Sequence, residues 1–313
     1  MLVLTRADVE ALLDLDELVD ALAAAFADLS AGGASMPPRV AAFSPHGLLG
    51  VMPAYLPSAD VLEVKLVTLF EGNAGTALPT HQAAIAVFDQ EHGNIAALMD
   101  GTYITATRTA AGSALSARLL ARVDARVLAI CGTGVQARTH ARALPRVRPI
   151  AEVRIAGRDA GKAADLAREV SGTAVGSFEE AVRGADIVCA TTHSPEPVVR
   201  REWLSPGTHV TSVGVNPDGR ELEEAVVADA SVFVESRAAA LASFPAGSND
   251  LTGLAPDDLV EIGEVIGGSK PGRATGNELT LYKSVGVAVM DAAAAALVLR
   301  AARERGTGRE LEL

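Results

Sequence analysis

Basic charge is scarce in this 313-residue chain: 27 Lys and Arg stand against 39 Asp and Glu, a formal net charge of −12. That balance argues against a nucleic-acid binder, which needs a basic face. It leaves room for a few basic residues gathered around a small anion. Cysteine is scarcer still. Cys131 and Cys189 fall in apolar, strand-like runs and read as small buried hydrophobes in a reducing compartment, not as a disulfide or a nucleophile. The six histidines show no metal-ligand spacing, and no Cys/His cluster is there to hold zinc, so no metal is expected. Long apolar runs are missing too. The most membrane-like stretch, 285–299, is short, rich in Ala and interrupted by Asp291; it reads as a buried helix, and no membrane partner is expected. No basic segment with an apolar core opens the chain, so a cytoplasmic location is expected. Internal repeats and low-complexity linkers are likewise lacking.

What is present is a short apolar run, ARVLAIC, followed by Gly132-Thr133-Gly134 and then residues fit to open a helix. A second strand-like run, 153–156, ends at Gly157-Arg158-Asp159, at the spacing of a strand–turn–helix–strand dinucleotide site. Gly132 permits the tight turn, Gly134 lets the backbone approach a pyrophosphate, and Ala137 stands where close helix–strand packing is needed. Val135 and Gln136 open the helix whose N-terminal N–H groups would meet the phosphates. At the tip of the second strand an acid would hold the ribose hydroxyls of NAD. Here Gly157 stands at the tip and Arg158 follows, which favours the 2′-phosphate of NADP(H); Asp159 leaves NAD(H) open, and Arg158 can equally be a solvated loop charge. Thr191-Thr192 and Val213-Gly214 close two further apolar runs at the sheet edge where ligands bind. They are candidates for the nicotinamide half, or ordinary strand-end turns.

The surrounding pattern gives the organisation. Two helices open the chain: Thr5 with Asp8 resembles a capping box, and Asp14 with Glu17 repeats it more convincingly. Stretches 48–55, 62–70, 82–89 and 95–100 read as successive strands of an antiparallel or mixed sheet. Residues 105–122 turn helical, and strands and helices alternate after them, the signature of a doubly wound parallel sheet. A long Ala-rich helix, 279–303, is expected at the end. The fold class is therefore α/β, a central Rossmann-type doubly wound sheet plus a discontinuous α+β domain. The boundaries expected are 1–118 with 282–313 for substrate binding and dimerisation, and 119–281 for the dinucleotide. A sheet with so few helices leaves an apolar face to cover, which suggests a homodimer.

Three basic residues could carry chemistry. Lys65 sits in LEVKLVTLF, sharing one strand face with Glu63 and Val67; a solvated strand lysine is the bland alternative. Arg108, in TATRTAAGSA, is expected at a helix start, where a cation opposes the dipole and invites an anionic partner. Arg39 follows Pro37-Pro38, a place where most arginines are simply exposed.

LGVMPAY, VKLVTLF, LPTHQA, MDGTYIT, RTAAGSA, CGTGVQARTH, SVGVNPDGREL, EIGEVIGG and LTLYKSVGVAV together resemble the ornithine cyclodeaminase/mu-crystallin family, in order and over nearly the whole chain. The likeness is nearest to the mu-crystallin branch, whose members act as ketimine reductases. It implies a substrate carboxylate held by Arg39, Lys65 and Arg108, with Met52 of the MP motif and Asn216 beside the substrate. It also implies cofactor contacts from Thr80-His81, from Arg108 and Thr109 of the RTAA motif, and from Lys283 of the LYKSVG motif. Two departures bear on the branch. Cyclodeaminases of the family carry Glu before the Met of the MP motif, where Val51 stands, and Asp two residues after VG, where Asn216 stands; a neutral amide is no proton acceptor. The function expected is NAD(P)H-dependent reduction of small imino acids, pyrroline- or piperideine-2-carboxylate, to L-amino acids such as proline. The alternatives are ornithine cyclodeaminase, an alanine-type dehydrogenase, or a non-catalytic NADPH-binding, crystallin-like protein.

Overall fold

The computed structural model describes residues 1–312 as two units, 1–108 with 287–312 and Thr109–Gly286. These limits differ from 118/119 and 281/282 for physical reasons. The helix Gly101–Leu120 (α3) gives its later hydroxyls, Ser113 and Ser116, to Thr211, His140 and His209 of unit 2. The segment Thr280–Lys283 is a strand of that unit's sheet.

Unit 1 opens with β1 (Leu2–Leu4), α1 (Arg6–Leu12) and α2 (Leu15–Ser30). The capping ranks are the reverse of expectation. The reciprocal box forms at Thr5 and Asp8, whereas Asp14 caps α2 through its carboxylate alone, accepting from Asp16 and Glu17 N–H groups. Next come β2 (Val40–Ser44), β3 (Gly47–Leu56), β4 (Val61–Leu69), β5 (His81–Phe88) and β6 (Ile95–Asp100). These pair antiparallel in chain order, β1 adds parallel to β6, and Arg309–Glu310 closes the far edge. Alternation along β3 and β4 sends Met52, Ala54, Glu63, Lys65 and Val67 to the buried face. The C-terminal helix, Ala288–Arg305, packs on β3, β4 and α2. The other sheet face stays open, with Val40, Leu49, Leu62, Leu66 and Leu98 exposed.

Unit 2 is an all-parallel sheet of β7 (Val127–Cys131), β8 (Glu152–Ala156), β9 (Thr173–Ala174), β10 (Ile187–Ala190), β11 (His209–Ser212), β12 (Ser231–Val234), β13 (Leu259–Glu261) and β14 (Thr280–Lys283). The order β13-β12-β14-β11-β10-β7-β8-β9 contains the doubly wound arrangement, reversing direction beside β7. Its strands are Val-, Ile- and Ala-rich without alternation, as burial on both faces requires, and both cysteines lie wholly buried and free among them.

Two helix expectations are corrected. The final helix begins at Ala288, not 279: the β-branched and aromatic run TLYK pairs with β11 and β12, and Gly286, at φ +73°, separates it from the helix. Arg108 lies two turns inside α3, because that helix starts at Gly101. Among the described residues no helix is long and apolar enough to cross a membrane.

Candidate functional site

In unit 1 the alternation of β4 turns Lys65 inward, and the residue is 1% exposed. An ammonium so placed needs a partner. It finds one in Asp291, from the first turn of the C-terminal helix: Lys65 Nζ donates to Asp291 Oδ2 at 2.6 Å. Asp291 Oδ1 accepts Arg108 Nε at 3.1 Å. The two cations therefore converge on one fully buried carboxylate. Met52 stands directly across from Lys65 in the β3–β4 register, and Ile85 on its other side.

The electrostatics follow from that geometry. Burial pushes the Lys65 ammonium down, Asp291 holds it up, and Arg108 and Arg39 lower it again, leaving it at about 8. Burial pushes the Asp291 carboxyl up, but Arg108 and Lys65 outweigh it and the group ends below the usual carboxylate range. Arg39, half-buried, is thus near enough to be felt at Lys65. His81, at the start of β5, is pushed down to about 4 by burial and then by Lys65 and Arg108, so it is neutral at pH 7. Thr80 precedes it and receives the Phe70 N–H on its carbonyl. Glu63, two residues before Lys65 on the same face, is 1% exposed, and neither carboxyl oxygen has a hydrogen-bond partner. Burial, then Asp291, raise it well above the carboxylate range, against Lys65 and Arg108, so it is a neutral acid. The buried cations Lys65 and Arg108 share the single carboxylate of Asp291, one positive charge in excess and a fit for an anion.

In unit 2 the turn after β7 has the expected form. Gly132 adopts φ +128°, and a Cβ there would lie 2.6 Å from Thr191 Oγ1. Gly134 is the N-cap of α4 (Val135–Ala143) and has open space where a Cβ would be. Ala137 is fully buried, Val135 is exposed, and Gln136 holds a buried Oε1 with no partner beside the turn. This cradle, its free helix N-terminus and the orphaned amide oxygen fit a dinucleotide pyrophosphate and its ribose. A Cβ at Gly157 would lie 2.5 Å from Thr133 Cγ2, the end of a side chain that could turn aside. Asp159 Oδ1 is already engaged in capping α5 (Ala160–Glu169) through the Lys162 N–H, while Arg158 is exposed.

The loops after β10 and β11 are joined by Glu221, which accepts from Thr192 and Gly214; Thr191 Oγ1 donates to the Cys131 carbonyl, and Val213 follows at the end of β11. Lys283 donates to the Gly214 carbonyl and pairs with Asp250, so its ammonium is committed within the unit. Thr109 is buried at the start of the unit. Asn216 spends its amide on the His193 carbonyl and its oxygen on the Asp218 N–H. Val51 pairs with Val40 and Leu66 and faces away from Lys65, so its identity does not bear on this cluster within the protomer.

Sequence reasoning passed over Asp291, Glu63, Glu221 and Asp250. A lone Asp in the apolar, buried first half of the last helix was the available signal for the first. The other three sit in segments whose pattern looks like ordinary strand or loop.

A sequence model of the ornithine cyclodeaminase/mu-crystallin family matches residues 1–306. The ketimine reductase mu-crystallin of Mus musculus is 42% identical over 289 residues, 90% of each chain. A Delta(1)-pyrroline-2-carboxylate reductase of Thermococcus litoralis, in complex with NADH and L-proline, superposes with TM-score 0.94 at 34% identity, over 99% of this chain and 100% of that one. An archaeal alanine dehydrogenase dimer with bound NAD gives TM-score 0.91 at 32% identity, over 100% and 99%.

Proposed function

The chain belongs to the ornithine cyclodeaminase/mu-crystallin family, and from that premise we propose that unit 1 holds the carboxylate of a small imino acid and unit 2 the nucleotide that reduces it. The chain is an NAD(P)H-dependent oxidoreductase that acts on the C=N bond of small imino acids. Cyclic ketimines, pyrroline- and piperideine-2-carboxylate, are the proposed substrates and L-amino acids such as proline the products. The carbon of the imine gains a hydride and the nitrogen a proton. The hydride comes from the reduced nicotinamide when it is bound.

The observation that carries the site assignment is the buried convergence of Lys65 and Arg108 on Asp291, with a surplus of positive charge. Arg39, Lys65 and Arg108 orient the substrate through its carboxylate, by charge-assisted hydrogen bonds away from water. Lys65, at about 8, can also hold or give a proton near neutral pH. Neutral His81 cannot act as a cationic acid there. Gly132, Gly134 and the first turn of α4 receive the pyrophosphate. Arg158 receives a 2′-phosphate, so NADP(H) is preferred to NAD(H), a reading supported by the exposure of Arg158 and the capping role of Asp159. The exposed leucines of the unit 1 sheet support a homodimer, and two buried free cysteines support a reducing, cytoplasmic setting.

The test is a panel of pyrroline-2-carboxylate, piperideine-2-carboxylate, pyruvate with ammonia, and ornithine, followed by reduced-nucleotide absorbance. The cyclic imino acids should turn over fastest, and Lys65→Ala should lose about a hundredfold or more in kcat/KM while nucleotide affinity holds. Ammonia released from ornithine without added reductant would overturn the ranking. Binding of reduced nucleotide without turnover of any imino acid would favour a non-catalytic protein.

A further inference from the structure

Beneath the loops that follow β10 and β11, unit 2 buries Glu221, Asp250 and Lys283, which the reading above does not use; Glu235, also buried, is taken up by the Ser284 hydroxyl and the Val285 and Gly286 N–H groups. Glu221, Asp250 and Lys283 are 3%, 3% and 0% exposed. Lys283 Nζ donates to Asp250 Oδ2 at 2.7 Å, to Ser212 Oγ at 2.8 Å and to the Gly214 carbonyl at 2.5 Å. Asp250 Oδ1 accepts the Leu222 N–H at 3.0 Å. Glu221 Oε1 accepts the Thr192 N–H at 2.5 Å and its hydroxyl at 2.8 Å, while Oε2 accepts Ser212 Oγ at 2.7 Å and the Gly214 N–H at 2.9 Å. Both oxygens of Glu221 act only as acceptors, two of them from backbone N–H groups, the role that suits a carboxylate.

The charges do not cancel. Lys283 and Asp250 form a neutral pair that grips the Gly214 loop. Glu221 meets Lys283 through the Ser212 hydroxyl and the Gly214 backbone, so the three groups together carry one net negative charge. In a doubly wound sheet with the phosphate turn after β7 and the adenosine ribose beyond β8, the other half of a dinucleotide runs over the ends of β10 and β11. Thr192 and Gly214, the two residues that Glu221 binds, stand at those ends. A nicotinamide ring is neutral when reduced and cationic once it has given up hydride.

We propose that Glu221 is a positioning residue whose buried charge favours the oxidised, cationic nucleotide over the reduced one and so eases hydride donation, while the Lys283–Asp250 pair only fixes the loop. The proposal rests on the nucleotide reading of unit 2.

Fluorescence titration of the full chain with reduced and oxidised nucleotide separates the possibilities. Glu221→Gln should weaken the oxidised form about tenfold more than the reduced form. The double variant Lys283→Met with Asp250→Asn, which removes no net charge, should weaken both forms alike and leave their ratio within about twofold. Lys283→Met alone, which adds a net negative charge, should move the ratio the opposite way. Equal weakening of both forms by Glu221→Gln, or an unmoved ratio in Lys283→Met should the first variant not fold, would overturn the proposal and leave a loop brace. Wild-type protein that binds neither form would overturn the nucleotide reading beneath it.

Discussion

Replacing Asp291 by Asn tests the unit 1 cluster most directly, because that carboxylate contacts both buried cations. Its oxygens lie 2.6 Å from Lys65 Nζ and 3.1 Å from Arg108 Nε. At an effective dielectric of about 20, a unit charge some 3 Å away is worth about 5 kcal/mol, about four pK units on Lys65. Relaxation and water entry absorb part of this, so a fall of about two units is the working figure. Lys65 would then drop from about 8 to about 6. At pH 7.5 most wild-type molecules carry the ammonium, but only about one in thirty variant molecules would. If the ammonium holds the substrate carboxylate, KM for pyrroline-2-carboxylate should rise about twentyfold at pH 7.5 and return most of the way to wild type at pH 5.5. The assay is initial rates of reduced-nucleotide oxidation from pH 5 to 9, scored as the variant-to-wild-type KM ratio, which cancels titration of the substrate itself. The variant should also melt lower, since breaking a buried pair costs about 3–5 kcal/mol. A KM ratio that does not change with pH would refute the argument, whatever its size.

Four further outcomes follow from the same structure. Arg158→Ala should weaken NADPH by about tenfold or more and leave NADH nearly unchanged in fluorescence titration; equal losses would remove the phosphate contact. Glu63 is neutral in the fold and ionised in the unfolded chain above about 4.5, so its contribution is greatest below that pH and is lost as pH rises. Glu63→Met should therefore raise Tm more at pH 8 than at pH 4.5, and a pH-independent gain would contradict the neutral acid. His140 and His209, held near 4 and 3 by burial, keep their full contribution above about 6.5 and lose it as pH falls; each should cost unit 2 about 2 kcal/mol by pH 5, seen as a falling urea midpoint between pH 7 and 5. Leu66→Glu, on the open sheet face, should halve the mass measured by light scattering, and an unaltered oligomer would exclude that face as the contact.

Much of the fold was legible because it is written in short-range patterns. The strand at 95–100 matches its expected limits, and the strands at 48–55 and 62–70 are each displaced by about one residue at their ends, since Gly, Pro and Asp bound them. The glycine turn after β7 was legible because Gly132 needs a positive φ and Gly134 open space. The strand at Thr280–Lys283 was not, because four residues leading into an alanine-rich run do not reveal a period, and only pairing with β11 and β12 decides them. The same limit hid the partners of the basic residues. Lys65 and Asp291 are 226 positions apart, and nothing local ties a strand lysine to an aspartate in the last helix. Arg108 was expected at a helix start because it precedes a stretch of small residues; the helix begins earlier, at Gly101, and inside it the Arg108 charge is answered by Asp291 rather than left against the dipole.

The buried charges also follow the chemistry of the reaction when each unit is considered alone. Burying an ion is costly, so a fold that keeps an unequal set needs a ligand or a reacting group to make up the difference. In unit 1 the buried cations Lys65 and Arg108 exceed Asp291 by one, with Glu63 neutral, and the missing partner is an anion such as a carboxylate. In unit 2 the buried carboxylates Glu221, Glu235 and Asp250 exceed Lys283 by two, and the missing partner is a cation. Reduction of an imino acid by a nicotinamide presents one of each, the substrate carboxylate and the ring that becomes positive as hydride leaves. A binding protein indifferent to redox state has a use for the first imbalance but none for the second. The ratio of oxidised to reduced nucleotide affinity in Glu221→Gln therefore bears on whether this chain is built to turn over or only to bind.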